Sequence, residues 1–214
     1  MLFELAHATW ETLYMTLLSG VIGSIVGVPL GIVLFCTGNP KLWKNTLAYR
    51  TLGAIINITR SIPFIILMIA VIPLTFLIMG TSIGTTAAIV PLSLAAMPFI
   101  ARLIEAALHE VDKGLIEAAS AMGATAMQMI TKVLLPEAMP SIINALTLTL
   151  ITLVGYSAMA GAIGGGGLGA LAINYGYQRF NTTVMIETVI LLIFIVQVIQ
   201  MLGDQLSKRL LAKR

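Results

Sequence analysis

The sequence predicts an all-α membrane protein with five transmembrane helices, its amino terminus outside and its carboxyl terminus inside. A helical insert lies on the inner side between spans 3 and 4. Three observations carry this. The 214 residues are 58% hydrophobic and only 10% charged, against about 25% charge in a soluble domain. Charge-free runs extend from Thr12 to Pro40, Ser61 to Ala101 and Ala138 to Gln178. A helical crossing needs about 20 apolar residues, and these runs are far too long for barrel strands. Basic residues also fall almost wholly on one side of a five-span arrangement.

Span 1 is placed at about Thr12–Cys36 and span 2 at about Leu52–Met79. As one helix the Ser61–Ala101 run would extend about 60 Å, twice the hydrocarbon thickness. It therefore turns back, at Gly80-Thr81-Ser82-Ile83-Gly84. Span 3 follows at about Thr85–His109, and a cytoplasmic loop covers about 110–137. Span 4 is placed at about Ala138–Ala160 and span 5 at about Thr182–Gly203, with a glycine-rich stretch between them. Pro63, Pro73, Pro91 and Pro98 free backbone carbonyls and can kink their helices. The whole chain, 1–214, reads as one transmembrane domain.

Orientation follows from lysine and arginine placement. Lys41, Lys44, Arg50 and Arg60 lie in or near the first loop, and Arg102, Lys113 and Lys132 in or beside the third. Lys208, Arg209, Lys213 and Arg214 form the tail, whereas Arg179 alone faces the other side. This asymmetry places the amino terminus outside. Met1–Glu11 carries no Lys or Arg, which argues against a cleaved signal peptide. The net charge of +3 is explained by inner loops and lipid headgroups rather than by nucleic acid. Cys36 is the one cysteine and packs as a small apolar side chain. His7 and His109 are read as interfacial. Arg60 and Glu187 are the charges nearest a span's interior; Arg60 is expected to snorkel inward and Glu187 to lie at the outer interface.

The inner insert is the most distinctive segment. Asp112 fits an N-cap and Gly123 the residue just past a helix end. Leu115, Ile116, Ala119 and Met122 share one helical face, and Glu117, Ser120 and Ala121 another. Thr125-Ala126-Met127-Gln128 reads as a capping box opening a second helix, which Pro136 limits. Small Ala118, Ala119 and Ala121 allow close approach of a partner backbone, and Glu117 offers it a charge. From spacing alone, an amphipathic helix lying at the membrane surface remains an equal reading.

On span 4, Asn144, Thr149, Thr152, Gly155, Tyr156 and Met159 fall within an arc of about 140° at 100° per residue. Polar side chains in lipid face protein or water. The arc either lines a conduit or makes helix contacts through small and hydroxyl residues. As a conduit it places Tyr156 and Met159 near an outer gate. Gly161, Gly164–Gly167 and Gly169 permit a turn closed to other residues, as a docked loop or a flexible connector. Tyr175, Tyr177 and Phe180 sit where interfacial rings anchor.

The chain has no G-x-x-x-x-G-K-[ST] phosphate loop, no H-E-x-x-H and no Cys/His cluster. Ion-coupled transport would want paired ionisable groups mid-membrane, and none stands out. A membrane enzyme would want converging His, Asp, Glu or Ser groups; a scaffold would leave the polar arc without purpose.

Glu117-Ala118-Ala119, Gly123, Val133, Leu135 and Pro136 stand at the spacing of the signature loop of ABC importer permeases, with Val133 where isoleucine is usual. Asn57–Phe64, Gly114–Ala118 and Leu153–Met159 resemble the permease subunit of methionine importers, a similarity running from about Trp10 to Arg209. The resemblance implies a type I ABC importer permease fold in the bacterial cytoplasmic (inner) membrane, forming the path for a small amino acid, methionine in its D- or L-form. It implies a homodimer, two separate ATPase subunits beneath and an extracytoplasmic substrate-binding protein above. Asp112–Thr125 would then be the coupling helix, with Leu115, Glu117, Ala118, Ala119, Met122 and Gly123 at the ATPase contact. The chain would be no enzyme and hold no cofactor; ATP and magnesium would bind the partner. The other readings are an ABC permease for a different small polar solute and a secondary transporter.

Overall fold

Leu2–Gly38 form α1, a 37-residue helix about 55 Å long at 1.5 Å per residue. The computed structural model describes residues 2–212, with only the backbone at Leu2. Met1, Lys213 and Arg214, read above as parts of the outer segment and the basic tail, lie outside the described residues. The helix starts ten residues before the expected span because Leu5 and Ala8 are buried, so its first turns continue beyond the hydrocarbon layer.

After the Asn39–Asn45 loop, Asn45 caps α2 (Thr46–Ser61) by accepting from the Ala48 N–H. The expected continuous crossing at Leu52–Met79 is corrected here. The chain bends by 98° between α2 and α3 (Phe64–Ala70), then breaks again at Val71 before α4 (Ile72–Met79). Pro63 is the cause of the bend. It lacks an N–H and forces Ile62 into extended backbone, φ −77° and ψ 122°. The break at Val71 likewise precedes a proline, Pro73, in the first turn of α4. Gly80, at φ +72°, closes α4 in the left-handed region. By contrast Pro91 and Pro98 remain inside α5 (Thr85–His109).

The inner segment is α6 (Lys113–Ala121) and the single turn α7 (Ala126–Met129). Pro136 does not end the second helix, as the sequence had suggested. The backbone passes through a wide π turn at Ile130–Leu134, where the Leu135 N–H reaches the Ile130 carbonyl, and runs on as α8 (Leu135–Gly161). The wider turn accommodates a proline that an α-turn would reject. Then follow α9 (Gly167–Leu171), a π turn at Ala172–Tyr177 and α10 (Thr182–Leu211). Four helical stretches are long and apolar enough to cross a membrane, and the bent α2–α3 pair, taken as one span, brings the number to five.

The most extensive packing is between α1 and α5. A Cβ at Gly23 would lie 2.7 Å from the Ala96 Cβ, one at Gly27 2.8 Å from both the Ile100 Cβ and the Met97 oxygen, and one at Gly31 2.5 Å from the Ala101 oxygen. Lipid tails offer no hydrophobic drive between helices, so close backbone approach along this small-residue stripe supplies dispersion contact instead. Gly27→Val is expected to cost about 3 kcal/mol through overpacking. It should show as a lowered unfolding midpoint in detergent. Gly53→Ala, whose Cβ would meet only the Leu34 Cδ1 at 3.9 Å, should leave the midpoint in place.

Elsewhere α8 and α10 meet where Thr147 packs on Gly203 and Ser207 donates to the Pro140 carbonyl at 3.4 Å. The feet of α1, α5 and α10 and the start of α8 gather at one end with Lys41, Lys113 and Lys132. The start of α1, the Gly80–Gly84 turn and the glycine stretch form the other. The charge asymmetry read from the sequence therefore holds in space. Near the foot of α10 Gln200 donates to Asp204 one turn on at 2.7 Å.

Candidate functional site: an inner lever and a pathway face

At the inner end, Asp112 accepts from the Gly114 N–H and starts α6. The helix ends with Met122 and Gly123 donating to the Ala118 and Ser120 carbonyls, and Gly123 turns the chain at φ +79°. Only a residue without Cβ makes that corner freely. Thr125 and Gln128 then form the reciprocal capping box. Ile116 and Ala119 are buried, joining a core that includes Val111, Met129, Ile130 and Leu134. The opposite face carries Leu115, 42% exposed, Met122, 81% exposed, and exposed Ala118 and Ala121.

The inner set thus divides. Leu115, Glu117, Ala118, Met122 and Gly123 are open to a partner, whereas Ala119 faces inward and holds the helix in place. Glu117 is met by Lys41 of its own chain at 2.9 Å, a contact between the first loop and α6 that adds little stability because both side chains are largely exposed. Behind α6, Glu105 is 3% exposed. It accepts from the Tyr49 hydroxyl at 3.2 Å and pairs with Arg102. The knot ties the foot of α2 to α5. Composition gave no sign of it, since a lone Glu near a span end reads as interfacial.

On α8 the exposed stripe is Asn144, Leu148, Gly155 and Met159, with Thr152 half-buried at its edge. Tyr156 is half-buried and stacks on Phe64, ring centroids 4.4 Å apart and planes 2° from parallel. Thr149 is not on this face. It is 2% exposed, and its hydroxyl donates to the Ala145 carbonyl one turn back at 2.8 Å. A threonine can satisfy itself on its own helix, so polarity put Thr149 on the exposed arc, where the structure has Leu148 instead. The structure lines up Asn144, Thr152 and Met159 along one side of α8, over about 22 Å at 1.5 Å per residue, and keeps Tyr156 on the flank.

At the outer end the glycine stretch tucks back between α1, α8 and α10, with Leu168 fully buried. Glu11 accepts from the Gly167 N–H at 2.8 Å and from the Thr85 hydroxyl at 3.0 Å, while Thr12 accepts from the Leu168 N–H at 2.9 Å. The docked reading of this loop, not the flexible one, describes it. Tyr177 and Phe180 are 70% and 87% exposed, as interfacial anchors are. Glu187 is half-buried, with Oε2 unpartnered among the described residues.

Five apolar crossings with a helical lever at their inner end make the fold that of a type I ABC importer permease. The chain belongs to the family of inner membrane components of binding-protein-dependent transport systems, which it matches over residues 19–212. It is 58% identical over 205 residues to a probable D-methionine transport system permease protein of Vibrio cholerae, covering 96% of this chain and 91% of that one. It is 53% identical to the corresponding protein of Haemophilus influenzae, covering 95% and 96%. A solved inward-facing structure of a methionine ABC transporter contains a chain superposing with a TM-score of 0.96 at 53% identity, covering 98% and 97%. An amino acid ABC transporter chain at 22% identity and a TM-score of 0.75 shares the fold. The protein is thus a multi-pass inner-membrane permease subunit.

Proposed function

We propose that two copies of this chain form the path of an ATP-driven importer for methionine, supplied by an extracytoplasmic binding protein. Two separate ATPase subunits seat on the α6 levers, and ATP and magnesium bind there rather than to this chain. The observation that carries the reading is the lever itself: an exposed face of Leu115, Ala118 and Met122 backed by buried Ile116 and Ala119. Such a face is anchored from behind and open in front, as a docking helix must be. The cargo rests on the relatives named for methionine transport. Closure of the ATPases on ATP pushes the levers together, and the crossings exchange inward- and outward-facing packing.

The test is uptake of radiolabelled D- and L-methionine into vesicles holding the permease and ATPase with the binding protein outside. Uptake is expected to need ATP and binding protein and to survive collapse of ion gradients. Uptake that follows a gradient without ATP contradicts the reading.

A further inference from the structure

Beside the bend at Pro63 lies an open cleft of about 200 Å³, room for one small solute. It is lined by Thr59, Arg60, Phe64, Phe99 and Tyr156, among others. Arg60 is exposed and lies roughly 21 Å along α2 from Thr46 at 1.5 Å per residue, at the bend inside the broken apolar stretch Thr46–Ala70. A guanidinium stays charged there, and such a charge is costly unless it faces a pathway or a partner. Its contact among the described residues is with the Phe99 ring, 5.5 Å from the centroid. No carboxylate among them lies within ion-pair distance of it. A ring contact uses the guanidinium face and leaves its edge donors free, and that edge matches a carboxylate with two parallel hydrogen bonds.

We propose that Arg60 is a carboxylate subsite in the transport path, gripping the α-carboxylate of an amino acid as it passes. The proposal rests on the methionine reading above. The Phe64–Tyr156 stack and Phe99 supply apolar walls, and a thioether makes favourable contacts with aromatic rings. Tyr156 lies about one turn inward of Met159 on α8, so cargo entering past Met159 meets this cleft next. Because α2 and α3 diverge by 98° immediately beyond Arg60, a change in that bend alters the grip, which is what release requires.

The test uses the assembled transporter in vesicles, with ATPase and binding protein. Arg60→Gln is expected to lower initial methionine uptake about tenfold or more, the scale of one lost charge-assisted pair. Arg60→Lys retains part of the rate. To separate charge from folding, Arg60→Cys is assembled first and then labelled with a thiosulfonate carrying either an ammonium or a sulfonate. The unsubstituted protein, whose Cys36 is buried, is the labelling control. Ammonium labelling is expected to raise uptake about threefold or more, and sulfonate labelling is not, following the sign of the local interaction. Equal effects of the two labels, or no labelling at all, overturn the subsite. Normal uptake by the Gln form also overturns it while leaving the methionine reading intact. Absent methionine uptake by the unsubstituted transporter overturns the cargo reading on which this one rests.

Discussion

Arginine in place of Ala118 is expected to abolish ATP-driven uptake while the permease still folds and inserts. Ala118 is exposed on α6, on the side away from buried Ile116 and Ala119. Arginine is nearly as good a helix former as alanine, so the change should alter stability by no more than about 0.5 kcal/mol. The docking face is another matter. Between Leu115 and Met122 a small residue lets a partner groove close on the helix, and a long cation there holds the two surfaces apart. Losses at the centre of an interface run to about 2 kcal/mol or more, so affinity for the ATPase should fall at least about 30-fold. Pull-down of the ATPase from detergent measures it directly. Ala119→Arg should behave differently: Ala119 is 3% exposed, and its replacement should unseat α6 and lower the unfolding midpoint too. Equal ATPase recovery with the Ala118 variant and the unsubstituted protein contradicts the assignment.

Met159→Ala is expected to have the second-largest effect, on leak rather than assembly. Met159 is 48% exposed at the outer end of the Asn144–Met159 stripe, and in the proposed dimer a two-fold pair of such side chains is expected to close the path by excluding water. Shortening both opens the constriction, and apolar gates of this kind depend on dewetting. Methionine efflux from loaded vesicles without ATP should rise about tenfold, by the loss of a barrier of the order of 1.4 kcal/mol. ATP consumed per methionine imported should rise as well. Unchanged efflux and coupling would return Met159 to simple packing. A Thr149→Val change, by contrast, should leave efflux unaltered, because that side chain is buried and bonded to its own helix.

The sequence carried the fold class through its charge-free runs and its charge asymmetry, signals that the bilayer imposes on any helical chain. It carried the lever in detail because Asp112, Gly123, Thr125 and Gln128 act through local backbone hydrogen bonds, and local rules survive without tertiary knowledge. Where tertiary packing decides, reading failed. Pro63 bent its helix by 98° whereas Pro91 and Pro98 did not, and nothing in the local sequence separates them. Pro136 was absorbed by a π turn. Thr149 looked like pathway and proved buried. The Gly23–Gly27–Gly31 stripe was visible as a four-residue repeat of small residues and was overlooked, although it marks the most extensive helix contact. The bond from Glu11 to the Gly167 N–H joins residues 156 apart in sequence, a pairing that no periodicity reveals. Arg60 was legible as a charge near a span's interior, but its rings and its lack of an ion pair were not.

The most direct measurement places a photo-crosslinking p-benzoylphenylalanine at Met122 in the assembled transporter and identifies what it captures. Capture of the ATPase subunit is expected at Met122 and not at Ile193, an exposed apolar position within the α10 crossing. Capture of lipid alone at Met122, or of nothing, contradicts the central claim that α6 seats in a separate motor.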